Sequence, residues 1–172
     1  MMSSTYQPEA WQTLYIMMGG SVATLAGLLF VAMSLHTEAI METPVLRLRA
    51  AGSTMGLVLV FTQAGVILIP QSVVALGIEL TILGILSLML PVNIAIRLIR
   101  AHMANRIPMR TPVFACIYLV GTIGGVLIAF NLTAGMYMVT AQCFATIALY
   151  FFNAWSTMIG ISAKETVDRR SV

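Results

Sequence analysis

Residues 68–84, LIPQSVVALGIELTILG, carry one carboxylate, Glu79, in a run otherwise fit for lipid or its border. Such a group can take a proton, hold a cation or accept hydrogen bonds from a neighbouring helix, and intramembrane ionisable groups mark pathways by default. Its expected partners are amides. Gln63 lies eight residues before Gln71 and Glu79 eight after it, and Gln71 is the middle of a short PQS turn. A tight antiparallel hairpin about that turn puts Gln63 and Glu79 level, each about 12 Å below it by helical rise. Gln142 enters a later apolar run at a depth of ~9 Å, and Gly19, Gly20 and Ser21 cross the first run at comparable depth. Glu79, Gln63 and Gln142 therefore form the expected buried polar or ion site, with the two amides donating to the carboxylate. The plainer alternative is that all three are interhelical glue, each such hydrogen bond worth roughly 0.6 kcal/mol.

The run that carries Glu79 has two marked faces. At about 100° per residue, Glu79, Leu83, Leu86, Leu90, Asn93 and Arg97 share one stripe, whereas Gly77, Thr81, Gly84 and Ser87 lie roughly opposite. The first stripe suits a pore helix: an acidic outer vestibule, a leucine constriction and a polar inner end. Five helices are few to enclose water, so a pore of this kind needs an oligomer. The alternative for Asn93 and Arg97 is simple approach to the interface, where arginine reaches water easily. The second stripe permits close backbone approach. Two committed faces predict a central position in the bundle. Gly52 with Gly56, and Gly121 with Gly125, repeat the close-packing spacing and suit internal packing or subunit contacts equally.

The elements that position these residues follow from hydropathy. The chain has 172 residues, 59% hydrophobic and 9% charged, with mean hydropathy +0.95. A soluble domain carries about one-quarter charged residues, so this is the composition of a membrane protein. A helix needs about 20 apolar residues to cross the bilayer, and spans are expected at about 11–35, 50–69, 72–96, 112–131 and 137–162, with a charged tail at 163–172 that anchors at the interface or moves freely. One helix over 50–96 would run about 70 Å, so the chain turns near Pro70. The fold class is thus all-α, a polytopic bundle of five transmembrane helices forming a single membrane domain.

Nine basic residues against six acidic ones give a net charge of +3. The basic residues sit at segment ends and form no patch, which excludes nucleic-acid binding. Arg47 and Arg49 lie in the first loop, Arg97, Arg100, Arg106 and Arg110 around the third, and Lys164, Arg169 and Arg170 in the tail. With five spans these regions share one side, which predicts the amino terminus outside and the carboxyl terminus in the cytoplasm. Trp11, Tyr15 and Tyr137 fall where outer-interface anchors belong, and Trp155 lies nearer the inner end. Nothing before Arg47 is Lys or Arg, so the first span lacks the basic region of a cleaved signal peptide.

Other motifs carry less. His36 and His102 sit at a helix end and in a charged loop, not facing a shared cavity as haem ligands do. Cys116 and Cys143 are ~13 Å apart along the membrane normal, beyond disulfide reach. NLT at 131–133 matches a glycosylation acceptor but abuts a span and reads as a turn. No metal site, cofactor or catalytic set is expected, and the expected partners are the lipid bilayer and either further copies of the chain or a membrane complex.

The stretches SVATLAGLLFVAMSLH, LRLRAAG and ALGIELTILGIL, spaced as here, resemble a group of small uncharacterised bacterial multi-pass membrane proteins, in which an AGLLFVA-like first span precedes a basic loop and a hairpin whose second helix carries GxE. The resemblance covers roughly the first 90 residues. It implies the cytoplasmic membrane of a prokaryote, and no activity or functional residue comes with it. Two functions stay open: an oligomeric channel or ion-linked permeation protein built on Glu79, and a non-catalytic accessory or assembly subunit of a larger membrane complex.

Overall fold

The structure is a computed structural model and describes residues 8–35, 37, 40, 44–100 and 110–170. Among them lie helices α1 (Pro8–Leu35), α2 (Pro44–Leu68), α3 (Val73–Arg100), α4 (Arg110–Ala129) and α5 (Ala134–Arg170). Each contains a stretch long and apolar enough to cross a membrane: Ala10–Leu35, Ala50–Leu68, Val73–Asn93, Thr111–Ala129 and Ala134–Ser156. These match the expected spans, and they support a multi-pass membrane protein. His36, His102 and Arg106 lie outside the described residues. The expected tail lies mostly within α5, whose backbone runs on to Arg170.

The turns are built by local chemistry. Pro8 and Pro44 open α1 and α2, where a missing amide hydrogen breaks no bond. Ser72 caps α3: its Oγ accepts from the Ala75 amide at 3.3 Å and its carbonyl from the Leu76 amide at 3.0 Å. At the end of α4, Asn131 takes a left-handed backbone with φ 59°. The Leu132 amide then reaches the Leu127 carbonyl at 2.9 Å and the Asn131 amide reaches that of Ile128 at 2.7 Å, the two bonds of a Schellman end. That geometry explains the NLT motif as a helix stop. Asn131→Gly should leave stability unchanged or slightly raised, and Asn131→Val should lower it by about 1–2 kcal/mol in detergent unfolding. Equal stability of the two variants would contradict this account.

The helices pack in the order α1, α2, α5, α4, α3, and α3 curls back to touch α2 only lightly. The core holds Tyr15, Met18, Val22, Leu57, Val60 and Leu80, with Met136, Val139 and Cys143 from α5. Hydrogen bonds between side chains converge on α5: Tyr15 with Thr140 at 2.7 Å, Gln63 with Gln142 at 3.1 Å, Tyr118 with Tyr150 at 2.8 Å and Asn153 with Ser53 at 3.0 Å. Trp11 meets Tyr137 edge-on near the start of α1 and α5, ring centroids 4.9 Å apart.

The expected central position of the third span is corrected by this arrangement. Its small-residue face does pack: methyl groups built at Gly77 and Gly84 would overlap Ala129 and Thr122, and one at Gly125 would overlap Thr81. The rest of α3 is a flank on which Ile78, Ile82, Ile85, Leu86, Met89 and Val92 are exposed. The helix at the centre is α5, the least apolar of the five spans. A span with many polar side chains must turn them to protein, whereas the most apolar span, α3, loses little by facing hydrocarbon.

Candidate functional site

The expected polar layer forms around the two amides, without the carboxylate. Gln63 and Gln142 are each 2% exposed, and Cys143 and Thr146 are fully buried. The Cys143 thiol donates to Gln63 Oε1 at 3.4 Å, Gln63 Nε2 donates to Gln142 Oε1 at 3.1 Å, and Gln142 Nε2 donates to Thr146 Oγ1 at 3.1 Å. Gly121 makes room for this chain, because a methyl group there would come within 2.7 Å of Gln142 Oε1. Among the described residues every buried side-chain nitrogen and oxygen has a hydrogen-bond partner. The layer is neutral, and its amides, thiol and hydroxyl bond one another.

Glu79 does not join it. The carboxylate is exposed, and its Oε2 accepts from Gln71 Nε2 at 2.9 Å, while the same Nε2 also reaches the Val66 carbonyl at 3.2 Å. The expectation that Gln63 and Gln142 serve Glu79 therefore gives way to a brace across the outer turn. The reason is directional. Side chains on a helix lean toward its amino terminus, and α3 begins at that turn, so the carboxylate points back along the helix while Gln71 reaches down to meet it. Depth measured along the axis locates a Cα and takes no account of which way its side chain leans. A carboxylate held in hydrocarbon would cost at least ~2.5–3.5 kcal/mol, and the lean toward the turn relieves that cost.

The remaining expected residues divide as follows. Leu83 is half-buried, Leu86 and Asn93 are exposed on the α3 flank with Glu79, and the side chains of Leu90 and Arg97 lie outside the described set. Gly77, Thr81, Gly84 and Gly125 build the α3–α4 seam, Gly121 faces Gln142, and Gly56 receives the ring of Tyr150. A methyl group at Gly52 would meet none of the described residues within 4 Å. On α1, a methyl group at Gly20 would meet none of the described residues within 4 Å and Ser21 bonds its own helix through the Met17 carbonyl at 2.9 Å, so neither joins the layer.

The sequence reading missed one feature, a buried tyrosine pair. The Tyr118 and Tyr150 hydroxyls bond at 2.8 Å, and Phe114 packs on Tyr150 with ring centroids 5.0 Å apart. The signal was present: these tyrosines stand in mid-span, where a phenol hydroxyl needs a partner. Their rings floor a laterally open groove of about 320 Å³ between α2 and α3, walled by Leu59 and Thr62 on one side and Leu83 and Leu86 on the other. A second groove, about 300 Å³, opens between α1 and α5 at Leu28, Leu29 and Trp155. Among the described residues no cluster of three His, Cys, Asp or Glu side chains forms a metal site. Comparison with protein-family models, curated proteins and solved structures finds no match.

Proposed function

We propose that the chain is a non-catalytic accessory or assembly subunit of a membrane complex, in which the two glutamines tie α2 to α5 and Glu79 braces the α2–α3 turn. The observation that carries this reading is the Gln63–Gln142 bond. The amides that a buried ion or proton site would need are spent on each other, on Cys143 and on Thr146, and the carboxylate lies outside them, with one oxygen bonded across the turn. Reconstituted in liposomes, the chain should pass no more ions than empty vesicles, and Glu79→Gln should change stability by no more than about 0.5 kcal/mol. A conductance whose size or pH dependence changes with Glu79→Gln would overturn this reading.

That outcome would favour a second reading, a homo-oligomeric permeation path lined by α3. Its support is the exposure of Glu79, Leu86 and Asn93 on one flank, which would put a carboxylate and leucines around a shared axis. Oligomeric size in mild detergent separates the two, since a path of this kind needs a symmetric ring.

The proposed location is the cytoplasmic membrane of a bacterium, amino terminus outside. Its support is that the helix order carries Arg47, Arg49, Arg97, Arg100, Arg110 and the α5 end to one side, the side expected to be cytoplasmic. Alkaline phosphatase fused after Val172 should be inactive, and activity there would reverse the assignment.

A further inference from the structure

We propose that the groove between α2 and α3 binds one phospholipid acyl chain, and that Glu79 selects a headgroup bearing a primary ammonium, as in phosphatidylethanolamine. The groove is about 320 Å³, at the lower end of ligand sites, and it opens sideways where hydrocarbon would lie. Its few polar groups are turned away from a ligand. Thr62 Oγ1 donates to the Val58 carbonyl at 2.8 Å and Ser87 Oγ to that of Leu83 at 2.6 Å. The hydroxyls of Tyr118 and Tyr150 bond each other. What remains for an occupant is methyl groups and ring surface.

Charge complementarity names the headgroup. Glu79 lies one turn above Leu83 on the same stripe, about 6 Å by helical rise, so an acyl chain running down from the outer turn passes the carboxylate first. Gln71 occupies Oε2, and Oε1 has no hydrogen-bond partner among the described residues. A primary ammonium can donate hydrogen bonds to that oxygen and neutralise it. A choline headgroup brings the positive charge without a donor, and a glycerol headgroup brings hydroxyl donors but no cation and a net negative charge that the carboxylate repels. The expected order is phosphatidylethanolamine, then phosphatidylcholine, then phosphatidylglycerol.

The test is native mass spectrometry of the full chain released from micelles doped with equal amounts of the three lipids. Wild type should retain phosphatidylethanolamine about tenfold over phosphatidylglycerol, the ratio expected of one charge-assisted hydrogen bond. Glu79→Gln should bring the two within about twofold without lowering total bound lipid. Leu86→Trp, which fills the groove from an exposed position, should lower retention of all three while the helical circular dichroism is unchanged. Equal retention by wild type, a preference that survives Glu79→Gln, or binding unaffected by Leu86→Trp would overturn the proposal. The assembly reading is tested by flux and stands or falls apart from it.

Discussion

Gly77→Leu is expected to lower stability by about 3 kcal/mol or more, whereas Gly52→Leu should change it by less than about 0.5 kcal/mol. Both glycines sit in helices, and Gly52 even has the better small-residue spacing, four residues before Gly56. The difference is what surrounds them. A methyl group at Gly77 would run into the Ala129 backbone, whereas one at Gly52 would meet no described residue within 4 Å. A flexible side chain can move aside for about 1–3 kcal/mol of overpacking, but the α4 backbone cannot move without opening the seam that Thr81 shares with Gly125 and Gly84 with Thr122. That seam is the main attachment of α3, so its opening should release the whole helix. Reversible unfolding in mixed detergent micelles checks the pair, and a tolerated Gly77→Leu beside a damaging Gly52→Leu would refute the assigned seam.

The same contrast shows what was legible in the chain. Apolar runs of about 20 residues and the break at Pro70 are properties of local composition, and the helices follow them. The small face of α3 was legible too, because Gly77, Thr81 and Gly84 recur at helical spacing. What that spacing lacks is a partner: it marks a face able to approach closely, and only the structure shows that α4 fills it. Centrality was misread for a related reason. Two marked faces on α3 suggested two neighbours, yet half of the Glu79 stripe is leucine and the exposed flank beside it carries Ile78, Ile82 and Ile85, which hydrocarbon satisfies. Thr140, Gln142, Thr146 and Asn153 in α5 were the better signal, since polar groups in a membrane must find one another.

Glu79 and the two glutamines divide along the same line. Gln63 and Gln142 were placed in one layer by helical rise, and they meet because α2 and α5 pack directly on each other, so the two amides face across one buried interface. Glu79 departs because its side chain and that of Gln71 are long, flexible and directed toward each other across the turn.

The amide layer gives the second large effect. Gln142→Met should lower stability by about 2 kcal/mol, because Gln63 Nε2 then lies buried with no acceptor in place of the 3.1 Å bond it makes now. Methionine is the informative replacement: it is unbranched and close to glutamine in size, so it still fits against Gly121. Gln63→Met should cost a similar amount by stranding the Gln142 oxygen. The double variant removes both polar groups and should cost less than the two single changes added together, with a coupling near 1.7 kcal/mol, the upper end seen for such bonds in membranes. The high value follows from burial: each amide is 2% exposed, so neither has water to replace its partner. Additive losses would mean that the two glutamines act separately. Intact stability with altered ion flux would mean that they serve a permeating species instead. The cycle thus reads structural bond and ion ligand apart at the residues that the accessory reading depends on most.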